Sequence, residues 1–310
     1  MPSKGGQANS EGVQLNRGGG GCRAAGPINP IVKPALQKIG KGGWLGIDVV
    51  SLVIMVAVMI EFPKRTGRVI ARFSCGAASA VATKLAIKKY GDAVEIYYND
   101  PGAEHEDNAR FMQSCEVWFQ KKINVLRSEK FKDIYDVFEK RRFLSSPAGA
   151  PCTSELKRIP GEAVWNLGDV EIFGYTADEQ HRVDRFRVNN NERIIECPLI
   201  DNGLTKENCL QIISDQGIRL PTMYQLGFRN NNCIGCVKAQ SIDYWKRVRK
   251  HFPENFERMA KMERELGHAI NRVSRNGERV RIYLDEIEDG DPKGHDPNIQ
   301  CGLFCSVDTV

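Results

Sequence analysis

The chain has 310 residues, 41% hydrophobic and 27% charged, an ordinary balance for a globular protein and enough length for one large domain or a domain with an appendage. The formal net charge of +5 is matched by residues 1–43 alone, where Lys4, Arg17, Arg23, Lys33, Lys38 and Lys41 face a single acid, Glu11. The remainder is close to neutral, so a globally basic nucleic-acid-binding body is not indicated, and only a local patch is left open.

Residues 1–43 hold 11 of the 29 glycines and no apolar periodicity, and are predicted to be a disordered tail. Residues 44–67 form an apolar segment and linker. Its uncharged stretch, residues 49–60, is shorter than the ~20 residues a spanning helix needs. Two readings stand: an uncleaved anchor or signal segment, or a dispensable stretch with Met55 or Met59 as the functional start.

From residue 68 the pattern becomes regular. Residues 69–73 read as a short buried strand, followed by a turn of small residues and a helix over 79–90 that Gly91 closes. Residues 93–98 are predicted as a second strand, 104–119 as a second helix, 124–126 as a third strand and 131–143 as a helix. A later strand is expected over 170–175 and a helix over 205–216, with Thr205 as its N-cap. Alternating strands and helices at this spacing argue for α/β architecture: a parallel, twisted sheet with helices on both faces. Residues 68–220 are assigned to this domain. Residues 221–310 are expected to be a helical and irregular extension that carries cysteines, with helices over 244–250 and 253–267 and an acidic stretch over 285–291.

Ser74, Cys75, Gly76, Ala77, Ala78 and Ser79 lie between the first strand and the first helix. Small residues there let backbone N–H groups approach an anion, the helix N-terminus adds its dipole, and two hydroxyls can donate. The same composition also serves strand–helix packing. Further along, Lys157, Arg182 and Arg142 are candidate partners for an anionic ligand, and Asp178, Glu179 and Arg182 equally read as a surface helix start with local ion pairs.

Ten cysteines with no evident cleavable signal argue against a disulfide framework. Cys233 and Cys236 form a C-x-x-C knuckle, a spacing that suits two thiolates on one metal. Cys152, Cys209, Cys301 and Cys305 are candidates to complete four ligands, while Cys115 and Cys197 sit among apolar residues and read as core. Three readings stay open: an iron–sulfur cluster or zinc on Cys152, Cys233, Cys236 and one more, with Cys305 the assigned fourth; a redox dithiol; or unligated cysteines in a compact fold. Residues 244–252 interleave rings with cations, as single-strand binders do. On a helix, however, Trp245, Val248 and Phe252 share one face, and the simpler reading is a core stripe with a solvated charged face.

The turn written S-C-G-A-A-S resembles the S-G-G-x-D-S loop of the PP-loop ATP pyrophosphatase superfamily, with Cys75 in place of a glycine and Ala78 in place of the acid. In the same order follow Asn99-Asp100-Pro101-Gly102-Ala103-Glu104, Arg141-Arg142-Phe143, Cys152-Thr153-Ser154-Glu155-Leu156-Lys157 and Gly174-Tyr175-Thr176-Ala177-Asp178-Glu179-Gln180-His181-Arg182. Together they resemble the phosphoadenosine-phosphosulfate-reductase-like branch over residues 68–250. The resemblance implies an adenine nucleotide alpha hydrolase-like, Rossmann-like fold. It also implies ATP or a related adenosine nucleotide on residues 74–79, Asn99 and Glu179, with magnesium as a further cofactor.

Lys157, Arg182 and Cys301 are the catalytic candidates this carries over. Cys301-Gly302-Leu303 resembles the family's C-terminal thiol motif, although Gln300 and Phe304 replace the flanking Glu and His, and a ligand or structural role is preferred for that thiol. The implied function is action on a sulfonucleotide, or cleavage of ATP at the α–β linkage to activate a second, unidentified substrate for sulfur transfer. The alternatives are a catalytically silent nucleotide-binding module or a protein that places sulfur on nucleic acid. The expected location is cytoplasmic, without a membrane partner.

Overall fold

A computed structural model describes residues 67–146, 149–275 and 277–291. The tail over 1–43, the apolar segment over 44–60, Cys301 and Cys305 lie outside the described residues. Among those described, no helix is long and apolar enough to cross a membrane.

The chain builds a five-stranded sheet from β1 (Val69–Phe73), β2 (Val94–Asn99), β3 (Ile123–Leu126), β4 (Val170–Ile172) and β5 (Ile194–Glu196), in the order β3-β2-β1-β4-β5. All four pairings are parallel. Helices α1 (Ala77–Tyr90) and α2 (Asn108–Phe119) carry the chain outward from β1 to β3. It then returns through α3 (Ile134–Arg141) to β4, on the far side of β1. The strand order therefore reverses between β1 and β4. In an open parallel sheet this reversal leaves a crevice beyond the carboxyl ends of those two strands, where ligands bind.

Strand periodicity divides the sheet into two faces. Val69, Ala71 and Phe73, with Val94, Ile96, Tyr98, Val170 and Ile172, join one cluster with residues of α1, α2 and α5 (Lys206–Asp215). Phe73 lies stacked on Phe111 and edge-on to Tyr98 and Phe119. The other face holds buried charge. Arg72 donates to Glu171 at 2.5 and 2.8 Å, and Arg193 reaches Glu171 at 2.6 Å and also pairs with Glu162.

A second cluster gathers Ile134, Phe138 and Leu156 with Trp245, Val248 and Met259 from α6 (Ile242–His251) and α7 (Pro253–Leu266). After α7 the chain forms an antiparallel hairpin, β6 (Asn271–Arg275) and β7 (Glu278–Ile282). The carboxylate of Glu263 is fully buried and accepts from the amides of Ile270 at 2.5 Å and Leu284 at 2.6 Å, fastening the hairpin to α7.

Several expected boundaries move. The helix expected over 104–119 begins at Asn108, because Glu104 turns inward to Tyr98 and Asn108. The helix expected over 131–143 spans Ile134–Arg141, since Asp133 caps it through the Asp136 amide. The strand over 170–175 ends at Ile172; the Phe173 amide still donates to the Glu196 carbonyl at 3.0 Å, and Gly174 then lies against the first turn of α1. Past residue 221 the chain is not only helical and irregular. The hairpin there has few apolar positions to disclose it, with Val273 and Ile282 buried and arginines filling the other face.

Candidate functional site

The crevice between β1 and β4 is a cavity of about 420 Å³. Ser74, Gly76, Ala78, Ser79, Asn99, Lys157, Glu179 and Arg182 all line it, so residues more than a hundred positions apart in sequence meet on one wall system. Cys75 and Ala77 are fully buried beneath the loop and do not line the space.

The loop shapes itself through Ser79. Its hydroxyl accepts from the Ser74 amide at 3.0 Å and the Ser74 hydroxyl at 3.1 Å, and donates to the Gly76 carbonyl at 2.9 Å. Cys75, which stands where the resembling loop has glycine, has a φ of 54°, in the left-handed region that costs a side-chain-bearing residue about 1–2 kcal/mol. That strain is opposed by Asn231, whose amide donates to the Cys75 carbonyl at 2.7 Å. Burial, with Glu104 next, pushes the Cys75 thiol well above its ordinary range, so it is a packed neutral group. The Ala77 amide, at the start of α1, donates to the Tyr224 hydroxyl at 3.3 Å. Burial pushes that phenol up to about 12.

Lys157 comes from a stretch of three consecutive helical segments, Pro151–Thr153, Ser154–Arg158 and Ile159–Glu162, the middle one with π-type hydrogen bonding. Such wide turns re-aim side chains and recur at functional sites. Lys157 Nζ lies 3.5 Å from Glu104, which also accepts from Tyr98 at 2.7 Å and Asn108 at 2.8 Å. Burial and the Glu104 carboxylate push Tyr98 far above the usual phenol range, so its hydroxyl remains a donor. On the opposite wall Arg182, from α4 (Gln180–Asn189), pairs with Glu179 and lies over the Tyr175 ring at 4.8 Å. Glu179 in turn accepts from the Thr176 amide and hydroxyl, each at 3.0 Å, in a capping box on the 3₁₀ turn Ala177–Glu179 that leads into this helix. The ion pair expected at a helix start and the cavity position are thus both present.

Polar atoms left without partners collect here. Arg72 Nη1, Arg182 Nε, Asn99 Oδ1 and Asn231 Oδ1 are buried with no hydrogen-bond partner, and all four residues line the cavity. Buried polar groups are nearly always satisfied, so two donors and two acceptors left open around one space favour a polar ligand.

Arg72, Lys206, Tyr224 and Arg229 line the cavity and escaped the sequence reading. Arg72 hides inside an apolar strand, where a central charge beside a ligand crevice was the available signal. The others lie at a helix start and in the 220–232 stretch, outside any motif. Arg142 is not brought to the cavity; it is exposed and donates to the Glu265 carbonyl at 3.2 Å.

Cys152, Cys233 and Cys236 converge with Lys157 around a separate space of about 10 Å³. The Tyr244 hydroxyl shapes the knuckle, accepting from the Cys236 amide at 2.9 Å and donating to the Cys233 carbonyl at 3.2 Å. Cys209 is not among them, being buried in the sheet cluster with Cys115, while Cys197 lies in a small third cluster with Phe173. Among the described residues no group of three or more His, Cys, Asp or Glu side chains is placed to hold a metal ion. The expected fourth thiolate, Cys305, and the alternative Cys301 lie outside the described residues.

The aromatic stripe of α6 is core: Trp245 and Val248 are fully buried. Its cations turn to the acidic stretch, with Arg249 on Asp289 at 2.8 Å and Lys246 on the Asp289 carbonyl at 2.8 Å.

No family model matches the chain, and no curated protein matches it. Among solved structures it is similar to the phosphoadenylyl-sulfate reductase of Candida auris in its phosphate complex, at 8% identity and a TM-score of 0.39, over 62% of this chain and 98% of that one.

Proposed function

We propose that the cavity binds an adenosine nucleotide and that the chain is an enzyme acting on it, in the manner its motifs share with the phosphoadenosine-phosphosulfate-reductase-like family. The observation that carries this reading is the set of open polar atoms on Arg72, Asn99, Arg182 and Asn231 around a cavity at the sheet's reversal point. Phosphate oxygens suit the two arginine donors, and an amino or hydroxyl group of the nucleoside suits Asn99 Oδ1. Lys157 and Arg182 supply fixed positive charge to the group that develops negative charge, and residues 74–79 fix its position. Two reactions fit: attack by a second substrate on the α-phosphorus of ATP with departure of pyrophosphate, or transfer of the sulfonyl group of a sulfonucleotide to a thiolate with departure of the adenosine phosphate, after which a second thiol from an added dithiol displaces sulfite and leaves a disulfide. A binding module without turnover is the second reading, favoured by Ala78 where the resembling loop has an acid.

Calorimetric titration of the full chain with ATP, AMP, adenosine phosphosulfate and its 3′-phosphorylated form tests the proposal. At least one adenosine ligand is expected to bind, with affinity falling more than tenfold in Lys157→Ala and Arg182→Ala at unchanged folding. Silence toward all four at millimolar concentration sinks it. Pyrophosphate release from ATP, against sulfite release from a sulfonucleotide in the presence of a dithiol reductant, then separates the two reactions, and binding without either product supports the silent module.

A further inference from the structure

Lys206 and Arg229 are set apart from the other cations of the cavity. Arg72 is paired with Glu171, Arg182 with Glu179, and Lys157 with Glu104. Among the described residues, no carboxylate stands at ion-pair distance from either Lys206 or Arg229. Lys206 Nζ donates instead to two neutral acceptors, the Arg229 carbonyl and Asn230 Oδ1. An ammonium has three N–H donors, so one is left over. The charge lies 5.7 Å from the centre of the Tyr224 ring, whose hydroxyl meets the Ala77 amide at the phosphate-type loop. Tyr224 thus stands between this corner of the cavity and residues 74–79.

Holding two cations together in a half-enclosed space is unfavourable unless an anion joins them. Lys206 registers that cost: burial, and then the neighbouring Arg229 charge, bring it down to about 8, while Glu179, Glu207 and Asp178 act in the opposite direction without offsetting the fall.

We infer that Lys206 and Arg229 form a second anion subsite in the cavity, which takes a phosphate group of the ligand beyond the one held at residues 74–79 and so selects a ligand with an oligophosphate chain. The ligand choice deepens the nucleotide reading, but the subsite stands on its own residues and does not require adenine. A phosphate oxygen takes the spare donor of Lys206, and the Arg229 fork reaches a second oxygen of the same group. The mutual repulsion of the two cations becomes shared attraction to the ligand.

The full chain, its Lys206→Met and Arg229→Gln variants and the charge-keeping Lys206→Arg are titrated with inorganic pyrophosphate, ATP and AMP, with thermal melts as the control for folding. Pyrophosphate and ATP affinities are expected to fall at least tenfold in Lys206→Met and severalfold in Arg229→Gln. Lys206→Arg should retain most of the affinity, and AMP binding should stay within about twofold throughout. Equal losses for AMP and ATP overturn the inference, as does pyrophosphate binding untouched by Lys206→Met. If no nucleotide binds, the adenosine reading fails, and pyrophosphate alone decides: a tenfold loss in Lys206→Met supports the subsite, and no binding to the parent chain overturns it.

Discussion

Gly174 stands where a methyl group would meet the Ser79 Cα at 2.7 Å and its amide nitrogen at 2.8 Å. Both are backbone atoms at the first turn of α1, so neither can swing aside as a side chain would. This close approach is what brings the end of β4 against residues 74–79 and closes the crevice around its open polar atoms. In Gly174→Ala the strand end or the loop must shift. The expected outcome is a loss of about 1–3 kcal/mol in urea unfolding, typical of overpacking, with at least a tenfold loss of ligand affinity. Retention of full affinity would show that the loop does not need this contact. The neighbouring Cys75 illustrates what a lone residue conceals. Its identity reads as a departure from a glycine-rich loop, yet its φ of 54° keeps the left-handed backbone a glycine would adopt. The small residue types of this turn were legible in the sequence. The means by which a cysteine holds it, the Asn231 amide on its carbonyl, comes from 156 residues away and was not.

At the scale of elements, β1 and β4 were readable as apolar runs, but the charge inside them was not. Arg72 and Glu171 occupy the same face because strand residues alternate, and Arg193 reaches them from the start of β5. Three-residue β5 carries too little pattern to stand out from a stretch rich in Asn and Arg. With Glu171→Gln, Arg72 remains buried without its carboxylate, while Arg193 keeps Glu162. A destabilisation of about 3–5 kcal/mol is expected by denaturant unfolding, the usual cost of breaking a buried pair by removing one partner. A change under about 1 kcal/mol would mean that water reaches this face.

The hairpin has the opposite arrangement, a lone buried carboxylate with amide donors. Burial raises Glu263 to about 7, opposed by the Ile270 and Leu284 amides, so the folded chain favours the protonated form more than the unfolded chain does. Its contribution is therefore fully present below the ordinary carboxylate range and is lost as pH rises through about 7. Urea midpoints of the wild type should fall between about pH 5 and about pH 8, and Glu263→Gln should remove that part of the slope. Parallel curves for the two proteins would exclude Glu263 as its source.

Over the whole molecule, the cavity draws residues from both large hydrophobic clusters. Tyr224 packs against the sheet cluster, whereas Lys157 is flanked by Leu156 of the second cluster and shares its small space with Cys233 and Cys236. Alternating strands and helices made the sheet legible, since that pattern is local and repeated. The second cluster was not, because Phe131 to Leu156 joins residues beyond 223 through contacts with no periodic trace. A ligand that touches both walls binds only when both clusters are folded, and mass action then stabilises them together. At a ligand concentration a hundred times Kd the gain is about 2.7 kcal/mol. Trp118 packs against the sheet cluster and Trp245 is fully buried in the second, so variants that keep one or the other report each cluster separately. Both fluorescence transitions should move to higher denaturant by the same free energy when the ligand found by titration is added. A shift confined to Trp118 would place the ligand on the sheet side alone, and Lys157 would then lose its part in binding.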